Sequence, residues 1–439
     1  MTHPSPPPAP DDTRALESAS QRLVTAFIAT GLLFLLLPGT FLGVWNLIGI
    51  SSAHSLTSIT PASLQAHGHA QVFGWVGSFI LGIGFYSLTK MQTLRRFPIR
   101  SGWTSWAAWT LGVLLRWIAG ITAWHWRTLL PAAGILELAG FLLFWRAVRR
   151  HRPAQSTTST PATSTPAWML AVLLGTFALL LVLILQCFVL IHAALADSSP
   201  AVPHVLDQQL VVFAAWGVLV PTIWGFNARW LPIFAGLRDP DSKTLLAACL
   251  LAALGVVAAF TPWLTFSAAL FLVAATLAIL ALHIWEPALR PAKTENIHRS
   301  FRFFLRLCYV WLVVSCLLNL WAVIGDHNGG FWGASRHALT VGFVAGMILT
   351  IGPRILPAFC GMRTLHRPSW MAVSLVLLHA GCALRVTLEP LAYEGLWHAA
   401  WKLLPVSAFV ELSAVVAFAA NLFATLLQPP AHITHARTA

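Results

Sequence analysis

The sequence predicts an all-α membrane protein with twelve transmembrane helices, arranged as three pseudo-repeats of four helices. Hydrophobic residues make up 57% of its 439 residues, charged residues make up 9%, and the mean hydropathy is +0.74. A soluble protein carries roughly 25% charged residues, so this composition is that of a polytopic membrane protein. Apolar runs of membrane-spanning length and an internal sequence repeat support the same prediction.

Twelve apolar runs are each long enough, at about 20 residues, to cross a hydrocarbon core of about 30 Å. They occupy positions 23–48, 67–89, 103–124, 128–148, 167–194, 208–234, 243–261, 263–284, 303–325, 336–358, 369–387 and 398–427. The Pro-rich, polar start of the chain does not have the composition of a signal peptide.

These runs predict seven segments. We expect a disordered cytoplasmic tail (1–22), three four-helix repeats (23–148, 167–284 and 303–427), a cytoplasmic Pro/Ser/Thr linker (149–166), a cytoplasmic loop (285–302) and a cytoplasmic tail (428–439).

The net charge of +13 is explained by membrane topology and not by nucleic-acid binding. Lys and Arg residues follow the second, fourth and tenth runs, separate the sixth from the seventh, and precede the ninth. The loops at 49–66 and 195–207, on the opposite side of the predicted membrane, contain no Lys or Arg. This positive-inside pattern predicts that both termini are cytoplasmic.

The six cysteines lie inside or at the edges of apolar runs, and none belongs to a C-x-x-C or C-x-x-C-H motif. We therefore expect neither covalently attached c-type haem nor a disulfide framework.

The first and last groups of four runs repeat one pattern. The second run reads HAQVFGWVGSFILGIG from its histidine, and the tenth reads HALTVGFVAGMILTIG. Later in each unit, LLRWIAG corresponds to ALRVTLE, and ELAGFLLF corresponds to ELSAVVAF. Three polar residues coincide in this alignment: His69 with His337, Arg116 with Arg385, and Glu137 with Glu411.

The middle four runs form a third unit. RWLPIFAGLR (229–238) follows the sixth run as RILPAFCGMR (354–363) follows the tenth, and this alignment places Val212 opposite His337. The seventh run has no intramembrane Arg and the eighth has no Glu. We therefore predict that this unit kept the scaffold and lost the polar groups.

The paired histidines suggest a haem site. His69 and His337 lie at matching depth near the predicted outer face, on helices that run in the same direction. Two imidazoles at one depth suit axial ligation of one b-type haem, which needs no covalent attachment. Glycines later in both runs would let a flat macrocycle or another helix approach closely; helix packing alone also explains them.

His67 lies about 200° around the helix from His69, so the two cannot easily bind one metal ion. His67 would then serve a second metal, either copper or another haem. Candidate partners are five histidines expected near the outer surface, namely His125, His192, His204, His327 and His398; His54 is expected at the same surface. Equally, these loop histidines can simply be solvated.

The paired arginines and glutamates each have two interpretations. Arg116 and Arg385 suit the anionic haem propionates, or their side chains extend to the membrane interface. Glu137 and Glu411 lie mid-span, where a carboxyl group is either a proton-relay step or a polar clamp between packed helices.

The sequence resembles the NnrS family of bacterial haem- and copper-containing membrane proteins. The resemblance is carried by HGHAQVFG (67–74), RHALTVG (336–342) and RWLPIF (229–234), in that order. It implies a location in the bacterial cytoplasmic membrane and a role in binding, consuming or protecting against nitric oxide during nitrosative stress or denitrification.

A more distant resemblance is to the catalytic subunit of haem–copper oxidases and nitric oxide reductases, which also has twelve spans in three arcs. In that family, histidines at the positions of His69 and His337 bind the low-spin haem. Ser335 stands where the family has the histidine of its high-spin haem, and the copper histidines have no counterpart. Oxygen reduction of the oxidase type is therefore not expected.

Three other functions stay open. A divergent nitric oxide reductase would take electrons from quinol or a periplasmic donor and need an open metal site near His67. Twelve spans in repeats also suit a metal-free transporter, although the repeats are parallel and no inverted pair is visible. A structural or assembly partner of another respiratory complex is the last alternative.

Overall fold

The computed structural model describes residues 10–91, 99–150, 165–292, 298–362 and 365–428, and every long element in them is helical. The first nine residues, most of the predicted Pro/Ser/Thr linker and the C-terminal tail from 429 lie outside the described residues.

Twelve long helices occupy these ranges. They are α1 (Pro10–Phe34 and Leu42–Ala53, joined by the π-helical segment Leu35–Phe41), α2 (Pro61–His69 and Ser78–Met91, joined by the π-helical segment Ala70–Gly77), α3 (Ile99–Thr122), α4 (Trp126–Arg150), α5 (Ala167–Ala196), α6 (His204–Val212 and Val220–Phe234, joined by the π-helical segment Phe213–Leu219), α7 (Ser242–Ala259), α8 (Leu264–Ala281), α9 (Phe301–Gly325), α10 (Gly330–His337 and Gly346–Phe359, joined by the π-helical segment Ala338–Ala345), α11 (Ser369–Tyr393) and α12 (Ala400–Leu426).

Eleven of the described helices are long and apolar enough to cross a membrane, and α3 is the exception. The α3 sequence contains two arginines and several Ser, Thr and Trp residues, which lower its hydropathy. It nevertheless packs along α4 as closely as α11 packs along α12. The many long apolar helices indicate a multi-pass membrane protein.

Three helices form the inside of the bundle. In the most apolar stretch of α2, α6 and α10, between 67% and 78% of residues are buried, against at most 56% in the other candidate spans. Their π-helical segments begin directly after His69, Val212 and His337. These are the three positions that the sequence alignment places opposite one another.

The surrounding helices repeat one set of contacts around these three. Helix α1 packs on α2, α5 on α6, and α9 on α10, while α3–α4, α7–α8 and α11–α12 form close pairs. Contacts of α4 with α5, α8 with α9, and α12 with α1 link one group of four to the next. The ring of helices is therefore closed.

Glycines set the distance within each close pair. A Cβ on Gly112 would lie 2.7 Å from Glu137 Cγ and 3.0 Å from the Ala133 carbonyl oxygen. A Cβ on Gly381 would lie 2.6 Å from Glu411 Cγ and 3.0 Å from the Ser407 carbonyl oxygen. The helix backbones approach closely because no Cβ intervenes, and each glycine accommodates a buried glutamate stem.

We expect Gly112→Ala and Gly381→Ala each to destabilise the protein by about 1–3 kcal/mol, because the added methyl group overpacks the helix pair. Gly325→Ala is the matched control, since the nearest atom to a Cβ there lies 3.9 Å away. The measurement is the free energy of unfolding in detergent micelles. Equal effects at all three positions would contradict the close-approach explanation.

Candidate functional site

The first polar cluster consists of His69, Arg116, Glu137 and Gln186, from α2, α3, α4 and α5. Glu137 is fully buried, and its two carboxylate oxygens have different partners. His69 Nε2 lies 2.9 Å from Oε1, and Gln186 Nε2 donates to Oε2 at 2.8 Å. Arg116 is 8% exposed, and its Nη1 has no hydrogen-bond partner among the described residues.

The second polar cluster consists of His337, Arg385, Glu389 and Glu411, from α10, α11 and α12. Arg385 donates to both oxygens of Glu389, at 3.1 Å and 3.3 Å, and Glu389 Oε2 lies 3.3 Å from His337 Nδ1. Glu411 Oε1 is buried and unpartnered in the described part of the chain. Glu389 was missed by sequence reasoning, although it stands four residues after Arg385, the spacing of an ion pair on one helix face.

The two clusters use aligned residues with different partners. In the first cluster, the histidine on the inner helix pairs with the glutamate on the fourth helix of its unit. In the second, the corresponding glutamate, Glu411, is left out, because His337 pairs with Glu389 on α11. The clusters are therefore equivalent in position and not in hydrogen bonding.

His67 belongs beside the second cluster and not the first. His67 lies within electrostatic range of His337 and Arg385, whereas His69 lies within range of Glu137 and Arg116. His67 Nδ1 lies 2.9 Å from the carbonyl oxygen of Gly39 in α1. Its ring packs so closely on α1 that a Cβ on Gly43 would lie 2.6 Å from its Cε1 atom.

Asp207 and Arg336 lie between the clusters. Asp207, in the first turn of α6, is within electrostatic range of Arg116 and Arg336, and Arg336 is within range of Glu389. Helices of the middle unit thus contribute Asp207 and Gln186. The prediction that this unit lost its polar groups is accurate only for the positions aligned with His337, Arg385 and Glu411.

At the glutamate position the middle unit is aromatic. A Cβ on Gly255 of α7 would lie 2.6 Å from the ring of Phe271 on α8. Phe271 in turn stacks on Trp216 of α6, with ring centroids 4.4 Å apart. Phe271 therefore packs against a glycine in the α7–α8 pair, as Glu137 does in the α3–α4 pair and Glu411 in the α11–α12 pair.

The remaining predicted histidines form no hydrogen bond with either cluster among the described residues. His192, His204 and His398 are exposed, as are His54, His125 and His327. Of these, the structure brings together His54 and His398, whose ring centroids are 4.8 Å apart. Among the described residues, no group of three or more His, Cys, Asp or Glu side chains is arranged to hold a metal ion.

Neighbouring side chains occupy the space beside the glycines that were proposed to admit a macrocycle. A Cβ on Gly77 would lie 2.6 Å from the Trp109 ring, and one on Gly342 would lie 2.4 Å from the Trp311 ring. These glycines therefore serve helix packing in this structure.

Residues 205–425 match a family described as a domain of unknown function, DUF8744. The chain belongs to this family. The matched half begins in α6 and includes the second cluster. His67 and all four residues of the first cluster lie before it. A search of curated proteins found no match.

We expect Glu137→Ala to destabilise the protein more than Glu411→Ala, by about 1–3 kcal/mol, because only the first leaves buried hydrogen-bond partners unsatisfied. Both substitutions remove the same atoms, and both glutamates pack against a glycine. The measurement is the free energy of unfolding of both variants under identical detergent conditions. A larger loss for Glu411→Ala would show that the hydrogen bonds to His69 and Gln186 contribute little.

Proposed function

We propose that the protein is an NnrS-like b-haem membrane protein that binds, consumes or protects against nitric oxide in nitrosative stress or denitrification. The observation that carries this proposal is that His69 and His337 stand at the same position of two inner helices, each among polar side chains. Each stands directly before a π-helical segment, and such segments are frequent at functional sites.

The hydrogen bonds of two histidines suit metal ligation. His67 Nδ1 and His337 Nδ1 each lie 2.9 Å from a backbone carbonyl oxygen, that of Gly39 and of Gly333. A histidine that donates from Nδ1 to a carbonyl presents the lone pair of Nε2, which is the usual arrangement around metal-binding imidazoles. Neither Nε2 has a hydrogen-bond partner within the described ranges.

His69 differs in this respect, because its Nε2 is the atom bonded to Glu137. To bind haem iron as the sequence predicts, His69 would have to release this carboxylate. The donor chemistry therefore favours His67 with His337 as the ligand pair, while His69 with His337 stays the prediction from the alignment.

The arginines provide anion partners for such a group. Arg116 has a buried nitrogen, Nη1, that no described residue hydrogen-bonds, which suits a propionate carboxylate. Arg385 already forms an ion pair with Glu389. To bind a propionate, Arg385 would have to share its donors between the two carboxylates or release Glu389.

Haem b held by these residues would supply reversible one-electron chemistry, and copper at a second site would supply a place for a small ligand. Glu137 and Glu411 would then hold or pass protons beside it. Quinol or a periplasmic donor would deliver electrons across the bilayer interface.

The same proposal extends to architecture and location. Three pseudo-repeats of four helices, as in the haem–copper oxidase subunit, are supported by the recurring helix contacts and the three aligned π-helical segments. We place the protein in the bacterial cytoplasmic membrane with both termini in the cytoplasm, on the basis of the positive-inside pattern.

We expect detergent-purified protein to show a sharp b-type α-band after dithionite reduction, and His337→Ala to lose it, because one axial ligand is removed. His67→Ala and His69→Ala, compared by the same spectra and by metal analysis, identify the second ligand. His366→Ala, at an exposed histidine beyond the C-terminal end of α10 that is in neither cluster, is the control.

Each outcome has a distinct meaning. A spectral shift on adding nitric oxide requires an open coordination position. Nitric oxide turnover by the wild type that His67→Ala abolishes, while the b-type α-band of that variant persists, would favour the nitric oxide reductase alternative. Wild-type protein that folds without haem or copper would overturn the proposal and favour a transporter.

A further inference from the structure

A small, partly open cavity of about 10 Å³ lies beside Arg116, at the end of the bundle that holds the connection between α5 and α6. Arg116 and Gly120 of α3, Gln65 of α2, and Pro200 and Val202 of that connection are among the residues that line it. Gln65 Nε2 donates to the Val202 carbonyl oxygen, and the Val202 amide donates to Gln65 Oε1, both at 2.8 Å. These two bonds fix the α5–α6 connection against α2.

Arg116 is the charged side chain in the wall of this cavity. It is 8% exposed, and no described residue accepts a hydrogen bond from its guanidinium group. Glu137 and Asp207 lie within electrostatic range, but neither carboxylate is paired with Arg116 in the described part of the chain. The oxygens of Glu137 are bonded to His69 and Gln186 instead. Because buried charges in proteins are normally paired, this guanidinium lacks a direct partner.

The internal alignment shows what that partner is in the second cluster. The stretches LLRWIAG and ALRVTLE pair Arg116 with Arg385 and, at their last position, Gly120 with Glu389. Glu389 stands four residues after Arg385 and accepts from it with both carboxylate oxygens. Gly120 stands four residues after Arg116 and has no side chain to offer. The carboxylate of the second cluster is therefore missing beside Arg116.

The α2 side of the cavity corresponds to the same place. The alignment of the second run with the tenth places Gln65 opposite Gly333. Gly333 lies directly against the Glu389 carboxylate, since a Cβ on Gly333 would collide with Oε1. Gln65 does not replace that carboxylate, because both polar atoms of its amide are bonded to Val202. The cavity thus lies where the second cluster holds its carboxylate.

We propose that this cavity is a binding site for one compact monovalent anionic group, which supplies to Arg116 the negative charge that Glu389 supplies to Arg385. A guanidinium group has N–H donors and no acceptor, so it selects an anion. A volume of about 10 Å³ is near the minimum that holds one water molecule, which excludes bulky anions. Chloride from solution has the required chemistry, and so does the carboxylate of a haem propionate. The site does not require haem and goes beyond the proposed function.

The test is binding of radiolabelled chloride to the full-length protein in lipid nanodiscs, with the bulky anion gluconate keeping the ionic strength constant. We expect saturable binding, and binding at least about tenfold weaker in Arg116→Gln, because hydrogen bonds from a charged group are lost. Arg146→Gln, at an exposed position of α4, is the matched control and should leave chloride binding unchanged. Chloride binding that survives Arg116→Gln would overturn the proposal.

A variant with its own carboxylate separates loss of binding from loss of folding. A Cβ at Gly120 would lie 3.0 Å from Ala66 Cβ, so Ala66→Gly makes room for Gly120→Glu. The double variant should lose chloride binding and have a thermal midpoint that chloride does not change. Ala66→Gly alone should keep the binding and the rise in midpoint that a bound ligand causes. Unchanged chloride binding in the double variant would overturn the placement of the anion beside Gly120.

The two sources of the anionic group are separated by comparing wild type with His337→Ala, which the proposed function expects to lack haem. Chloride binding by both proteins identifies a free anion, and binding by His337→Ala alone identifies a haem propionate as the occupant. Either result supports the site, whereas chloride binding by neither protein overturns it. Chloride binding by a wild type that shows no b-type spectrum would support this site and overturn the haem proposal.

Discussion

The structure depends on one constraint, the need to give buried polar groups partners where neither water nor lipid can supply them. Glu137 satisfies it with His69 on one oxygen and Gln186 on the other. Those bonds connect α2, α4 and α5, and so cross the boundary between the first and second groups of four helices. The polar cluster therefore fixes the relative positions of helices that apolar contacts alone would leave less specified.

The same constraint explains the differences among the three close helix pairs. Gly112 and Gly381 open equivalent spaces for a glutamate stem, and Gly255 opens one for the ring of Phe271. Where the space holds a glutamate, a histidine and an arginine stand close by; where it holds Phe271, the neighbour is Trp216. A glutamate stem or a phenylalanine ring thus packs against a glycine of the neighbouring helix in each close pair.

The two polar clusters differ in how their histidines are bonded. His69 is bonded to a carboxylate through Nε2, whereas His67 and His337 are oriented through Nδ1 and their Nε2 atoms have no hydrogen-bond partner among the described residues. Glu411 is buried in the second cluster, and its Oε1 likewise has no partner in the described part of the chain. Because buried polar groups in folded proteins are rarely left without a partner, this is where the two clusters differ most.

The sequence by itself determined twelve long helices, eleven of them through hydropathy over about 20 residues, which reports on membrane insertion; α3 falls short of that measure because arginines and Ser, Thr and Trp residues lower its hydropathy. Alignment of similar stretches of the sequence also singled out His69, His337, Arg116 and the two glutamates, which the structure places in two polar clusters. Tertiary structure alone decided the partners: Glu389 for His337, Gln186 for Glu137, and His67 beside the second cluster. Partner choice depends on side-chain direction across helices distant in sequence, and neither periodicity nor internal repetition encodes that direction.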